Sequence, residues 1–159
     1  MKQTQPLTRL KNTGFTLIEL LVVIAVLSVL LVIVLVAINP ARQTQAARNT
    51  QRKADVLTIL NAVGQYYVAM GNFPSGVATG SAVPINSSLT GFCDDLVTTG
   101  NYVAALPFDP SRRSGTNYHW TSCSDYDTGY TIQETTGNRI TVSAPESLND
   151  GGVPISVSR

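Results

Sequence analysis

Apolar residues are distributed very unevenly along this chain. From Leu20 to Ile38 the run "LLVVIAVLSVLLVIVLVAI" contains no charged residue, and one acid, Glu19, stands just inside its front edge. About 20 apolar residues at 1.5 Å each span the roughly 30 Å hydrocarbon core of a bilayer, whereas a secretory signal has an apolar region of about 7 to 15 residues before a small-residue cleavage site. The run therefore predicts a membrane-crossing helix. It is apolar on every side, and the polar remainder of the chain offers nothing to cover it as a core helix.

Past Asn39 the pattern becomes amphipathic. Val56, Leu60, Val63, Tyr67 and Met70 recur at alternating steps of four and three, which lays one apolar stripe along a helix whose other faces carry Arg48, Gln51, Arg52, Lys53 and Asp55. Such a stripe packs on a sheet. Pro40 removes a hydrogen bond to the carbonyl of Val36 and crowds the preceding turn, which predicts a kink or a local break. Otherwise the helix runs from Phe15 to Met70, about 84 Å at 1.5 Å per residue. "GNFP" ends it, with Gly71 available for a left-handed cap and Pro74 barring continuation.

Residues 75–89 are rich in Gly, Ser, Thr and Pro and read as a surface loop; "FCDDLVTTG" reads as a short helical turn carrying Cys93. Three segments have the β-branched and aromatic content of an antiparallel meander: Asn117–Ser122, Gly129–Glu134 and Arg139–Ser143, with "TTGN" as the tight turn before the last. Residues 145–159 read as a partly mobile tail. The expected fold is α+β, a long kinked N-terminal helix packed on a small three-stranded antiparallel sheet.

Composition refines this picture. The 43% hydrophobic content of the 159 residues is concentrated in one run, leaving a head with a small core that needs the helix to complete it. Arg42, Arg48, Arg52 and Lys53 make the neck basic, whereas residues 71–159 hold Asp94, Asp95, Asp109, Asp125, Asp127, Glu134, Glu146 and Asp150 against four arginines. A basic neck suits anionic headgroups or acidic neighbouring heads, and a solvated helix face explains any single residue equally well. The acidic head argues against broad electrostatic binding of nucleic acid, with a local patch at Arg112 and Arg113 left open. Cys93 and Cys123 are the two cysteines; without metal-ligand spacing they read as a disulfide in an oxidising compartment, with two separate buried thiols as the alternative.

Little points to catalysis. The single histidine, His119, lies beside Trp120 in an expected strand and has no argued nucleophile or acid partner, so it reads as structural and no catalytic residue is assigned. Asp125 and Asp127 precede Gly129 like a fragment of a calcium loop, but the ligand count and terminal glutamate of an EF-hand are missing. No cofactor and no metal ligand are assigned.

The leader "MKQTQPLTRLKNTG" followed by "FTLIELLVVIAVLSVLL" resembles the prepilin signal of type IV pilins and of the pseudopilins of type II secretion systems. The resemblance covers about the first 40 residues; "GNFP", "LPFDP" and "DTGYTI" add a weaker one to the heads of major pseudopilins and related pilins, which hold calcium in a head loop. It implies a leader over 1–14, a transmembrane and assembly half over 15–39, an amphipathic half over 40–70 and a globular head over 71–159. It further implies cutting by prepilin peptidase between Gly14 and Phe15, methylation of the new amino group of Phe15, and a leader inside with the head outside. Positive charge alone leaves that orientation open, because Lys2, Arg9 and Lys11 precede the run and four basic residues follow it.

The same resemblance gives Glu19 a role. A carboxylate near the bilayer core is costly and should find a partner, and the ammonium of a cut Phe15 lies at the same depth, either four residues away in the same chain or on a neighbour. The expected function is a structural subunit of a helical pilus-like filament, with pseudopilin of a type II secretion system as the alternative and a membrane-anchored ligand-binding module or enzyme as the remote one. Expected partners are further copies, minor pilins, the peptidase, an inner-membrane platform with its assembly ATPase, and the lipid bilayer before assembly. The expected location is the cytoplasmic membrane, then a surface pilus or periplasmic pseudopilus.

Overall fold

The computed structural model describes residues 14–112, 120, 122–152 and 154–159, and divides into two compact units, Met1–Pro40 and Ala41–Arg159. In the first unit, helix α1 covers Leu17–Ile38, 22 residues, and none of them is buried. At 1.5 Å per residue it is about 33 Å long, enough to cross a hydrocarbon core.

Helix α2 covers Pro40–Met70. One residue separates it from α1. Asn39 takes a left-handed conformation (φ 45°, ψ 79°), which breaks the helical ladder. Of the kink or local break expected at Pro40, the structure has a break, placed at Asn39, with Pro40 as the first residue of a second helix. A residue before proline is pushed out of the helical region, asparagine tolerates the left-handed one, and proline suits a first helical position, where its missing N–H costs nothing.

The buried face of α2 is Arg52, Val56, Ile59, Leu60, Ala62 and Val63. Val56, Leu60 and Val63 belong to the expected stripe. Its end does not stay covered, since Tyr67 stacks on Phe73 at 4.6 Å and Met70 is exposed. The helix closes with Gly71 at φ 77°, its amide donating to the carbonyl of Tyr67.

The head is built on an antiparallel sheet in the order β1 (Val83–Asn86), β2 (Asp127–Thr135), β3 (Arg139–Ala144), β4 (Ile155–Ser158). Among the described residues the sheet has four strands, where three were expected. β2 and β3 correspond to two of the expected segments. The third, Asn117–Ser122, lies largely outside the described residues; Ser122 forms an isolated bridge to Asp125 and belongs to no strand of this sheet. β1 arises in the segment read as loop, and its Pro84 is tolerated because β1 is an edge strand. β4 arises in the segment read as a mobile tail, where Ile155 and Val157 alternate with serines. Tyr130, Ile132, Ile140, Val142, Ala144 and Ile155 from the sheet join the α2 stripe and Leu96 and Val97 of a short π-helical turn (Asp94–Thr98) in one hydrophobic cluster.

Candidate functional site

The amino-terminal site is set by how α1 begins. Thr16 is extended (φ −84°, ψ 151°) and caps the helix: its hydroxyl accepts from the Glu19 amide at 3.3 Å. Glu19 Oε2 in turn accepts from the Thr16 amide at 2.9 Å and the Thr16 hydroxyl at 2.7 Å. This reciprocal box satisfies donors that the first turn of any helix leaves without partners. It also starts the helix at Leu17, so that Gly14 and Phe15 stay outside it and exposed. A Cβ added at Gly14 would meet nothing within 4 Å. The fold of this chain makes no demand for glycine there, so any demand must come from whatever handles the bond.

Glu19 therefore has a local partner, Thr16. The sequence pattern suggested only that its charge needed one; the T-x-x-E spacing was the available signal for a capping box.

In the head the polar side chains converge on α2. Arg52 is fully buried and grips Asp109 with two bonds, Nε to Oδ2 at 2.7 Å and Nη2 to Oδ1 at 3.0 Å. Its Nη1 pairs with Asp150 at 2.9 Å and donates to Asn49 Oδ1 at 2.8 Å. Burial would lift the Asp109 carboxyl, but hydrogen bonds from Arg52 and Ser111 hold it below its ordinary value. Burial likewise opposes the charge on Arg52, and Asp109 and Asp150 together raise its pKa despite that. Arg52 thus lies on the buried face of α2 and not on the polar one that the pattern predicts for it. Its position four residues before Val56 continues the buried stripe, and that was the sign to read.

Beside this cluster Tyr130 donates to Asp55 Oδ2 at 2.7 Å. Burial, with the charge of Asp109 nearby, raises the Asp55 pKa against the lowering effect of that bond. Burial first, and then the Asp55 bond, push the Tyr130 hydroxyl far up. Tyr126 is also buried, which pushes its hydroxyl up to about 12.

The basic neck is thus partly spent inside the protein. Arg48 and Arg52 both pair with Asp150. Arg112 bridges Asp127 at 2.9 Å and Glu146 at 3.4 Å, and Arg113 lies outside the described residues, as does His119. Asp127 of the calcium-like fragment thus faces a guanidinium and also accepts from the Gly129 amide at 2.9 Å. No group of three potential metal ligands occurs among the described residues. Cys93 and Cys123 are joined as a disulfide with Cα atoms 5.3 Å apart, and the indole of Trp120 donates to Cys93 Sγ at 3.2 Å.

A family model described as "Prokaryotic N-terminal methylation motif" matches residues 9–35. The chain carries a prepilin-type methylation motif. That motif and the single amino-terminal apolar helix are consistent with the broad prepilin and pseudopilin superfamily, and the α+β head is consistent with a pilin-like architecture in general. The matched segment spans the Gly14–Phe15 bond, the capping box and most of α1. No curated protein and no solved structure matches the chain.

Proposed function

We propose that this chain is a structural subunit of a type IV pilus-like filament, held in the cytoplasmic membrane by α1, cut between Gly14 and Phe15, methylated at Phe15 and then polymerised. The observation that carries the reading is the methylation motif over 9–35 lying on a helix that buries nothing within its own chain and follows an exposed Gly14–Phe15 bond. Prepilin peptidase, a membrane platform with its ATPase, and minor pilins are the partners this function requires. A secretion pseudopilus would use the same processing and the same subunit contacts. The role is structural rather than catalytic.

Cutting after Gly14 turns the amide of Phe15 into an ammonium next to Thr16, whose own amide is already bonded to Glu19. The carboxylate is therefore held within one residue of the new charge, ready to meet it or the ammonium of a neighbouring copy. A desolvated ammonium without an anion is strongly unfavourable, so this pairing supports assembly in a water-poor helix bundle.

Intact-mass analysis of protein in sheared surface filaments tests the proposal. The expected chain begins at Phe15 and carries one added methyl group. Assembled material that retains Met1 to Gly14, or processed protein that never leaves the membrane as filaments, would overturn it.

A further inference from the structure

Where α1 begins decides the state of the Gly14–Phe15 bond. A helix carried one turn further back would bond the Ile18 amide to the Gly14 carbonyl and the Glu19 amide to the Phe15 carbonyl, each four positions away. Neither Gly14 nor Phe15 is helical. The Glu19 amide goes instead to the Thr16 hydroxyl at 3.3 Å, and Thr16 supplies the first carbonyl of the ladder, accepting from the Leu20 amide at 3.3 Å. Thr16 itself is extended, so the chain leaves the helical path at the residue that follows Phe15.

That margin bears directly on the cut. Hydrolysis adds the hydroxyl of a water to the Gly14 carbonyl carbon, breaks the bond to the Phe15 nitrogen and leaves a carboxylate and an amine. A carbonyl engaged by the Ile18 amide inside a helical turn must be released before a peptidase can hold the chain on both sides of the bond. With the helix starting at Leu17, the release is already made.

The neighbouring sequence pulls the other way. Asn12 and Thr13 are both capping residue types, and a helix begun at either would take in Gly14 and Phe15. Hydrocarbon strengthens the pull, because each first-turn amide without a partner is expensive there. Thr16 has two advantages over these earlier starts. Three positions after it stands Glu19, which closes a reciprocal box, whereas Asn12 is followed at that spacing by Phe15 and Thr13 by Thr16. Gly14 acts in the same sense, since glycine weakens any helical turn that includes it.

We propose that Thr16 is a positioning residue for processing: by accepting from the Glu19 amide, its hydroxyl stops α1 short of the Gly14–Phe15 bond and presents that bond to the peptidase in open chain. This rests on the reading that the bond is cut. The hydroxyl half of the box needs only the backbone of Glu19, so it survives replacement of the Glu19 side chain. A substrate that is open for only a fraction of the time binds more weakly by that fraction and, once bound, reacts as before. Loss of the cap therefore acts on KM and not on kcat.

The test follows release of residues 1–14 from the full-length chain by purified prepilin peptidase in detergent micelles. Position 16 lies in the amino-terminal unit, so changes there leave the core of the head untouched. Thr16→Ser and Thr16→Asn keep a capping acceptor, the second without a hydroxyl, and both should be cut as the parent is. Thr16→Val keeps the shape and loses the acceptor, as does the smaller Thr16→Ala. Both should raise KM about fivefold, the factor that loss of a typical cap gives, at unchanged kcat. Backbone carbon shifts of Gly14 and Phe15 in uncut Thr16→Val should move to helical values. Thr16→Val cut like the parent, or slowed through kcat alone, would overturn the proposal. So would Thr16→Asn as poor as Thr16→Val, which would make the hydroxyl a contact of the enzyme. A parent chain that the peptidase leaves whole would overturn the processing reading and this positioning with it; a parent cut after Gly14, with the whole position-16 series alike, would overturn the positioning alone.

Discussion

Helix α1 and the head solve the same solvation problem in opposite ways. In α1 nothing is buried, and two polar side-chain contacts close within one turn: Glu19 with Thr16, and the Ser28 hydroxyl with the carbonyl of Ile24. In the head even an arginine is buried, and its partner Asp109 is 57 positions away. A helix long and apolar enough to cross a bilayer must satisfy its polar groups locally, because hydrocarbon supplies no partners. A small head can bury a charge only by bringing a counter-charge from elsewhere in the fold. One unit is thus defined by its environment and the other by its own tertiary contacts.

The largest expected effect comes from breaking the local solution in α1. Glu19→Ala should leave membrane insertion and cleavage after Gly14 intact, since it removes a costly group and does not touch the bond. Filament yield should collapse, because an ammonium left without its anion in a buried bundle costs about 3 to 5 kcal/mol. Glu19→Gln sharpens the point: it keeps an acceptor for the Thr16 amide and removes only the charge. If sheared filaments are normal with Glu19→Gln and lost with Glu19→Ala, the capping box matters and the charge does not.

Breaking the long-range solution comes next. Arg52→Ala strands Asp109 in the interior and should destabilise the head by about 3 to 5 kcal/mol, read as a lower midpoint in chemical denaturation of the detergent-solubilised chain. Insertion of α1 should be unchanged. The double change Arg52→Met with Asp109→Leu should recover much of the loss, because an apolar pair removes both desolvation costs. No recovery would mean that the Arg52 bond to Asp150, or the bonds of Asp109 to Ser111, carry the site rather than the Arg52–Asp109 pair.

The smallest effect concerns pH. The Asp55 pKa is raised in the folded head, so its contribution to stability is present below the ordinary aspartate value of 3.8 and is lost as pH rises through the raised value. Asp109 has the opposite sign: its pKa is lowered, so its contribution is present above 3.8 and lost as pH falls through the lowered value. Asp55→Asn keeps an acceptor for Tyr130 and removes the unfavourable charge. Its thermal midpoint at neutral pH should be slightly above that of the parent, and the gap should close on acidification below the raised value. A lower midpoint at neutral pH would show that the Asp55 charge is favourable where it stands.

The sequence by itself determined the parts governed by short spacing. A run of uncharged apolar residues dictates a helix long and apolar enough to span a bilayer, and the T-x-x-E box fixes where that helix starts, because each interaction closes within one turn. Pro40 announced an interruption, but whether it bent one helix or began another depended on Asn39 adopting the left-handed conformation. Tertiary structure alone decided the rest. Val83–Asn86 and Ile155–Ser158 are only four residues each and become strands because β2 and β3 offer edges to pair with. Arg52 could be placed on the stripe by its spacing, but only the fold could bring Asp109 and Asp150 to it, since a buried charge depends on partners that sequence distance does not reveal.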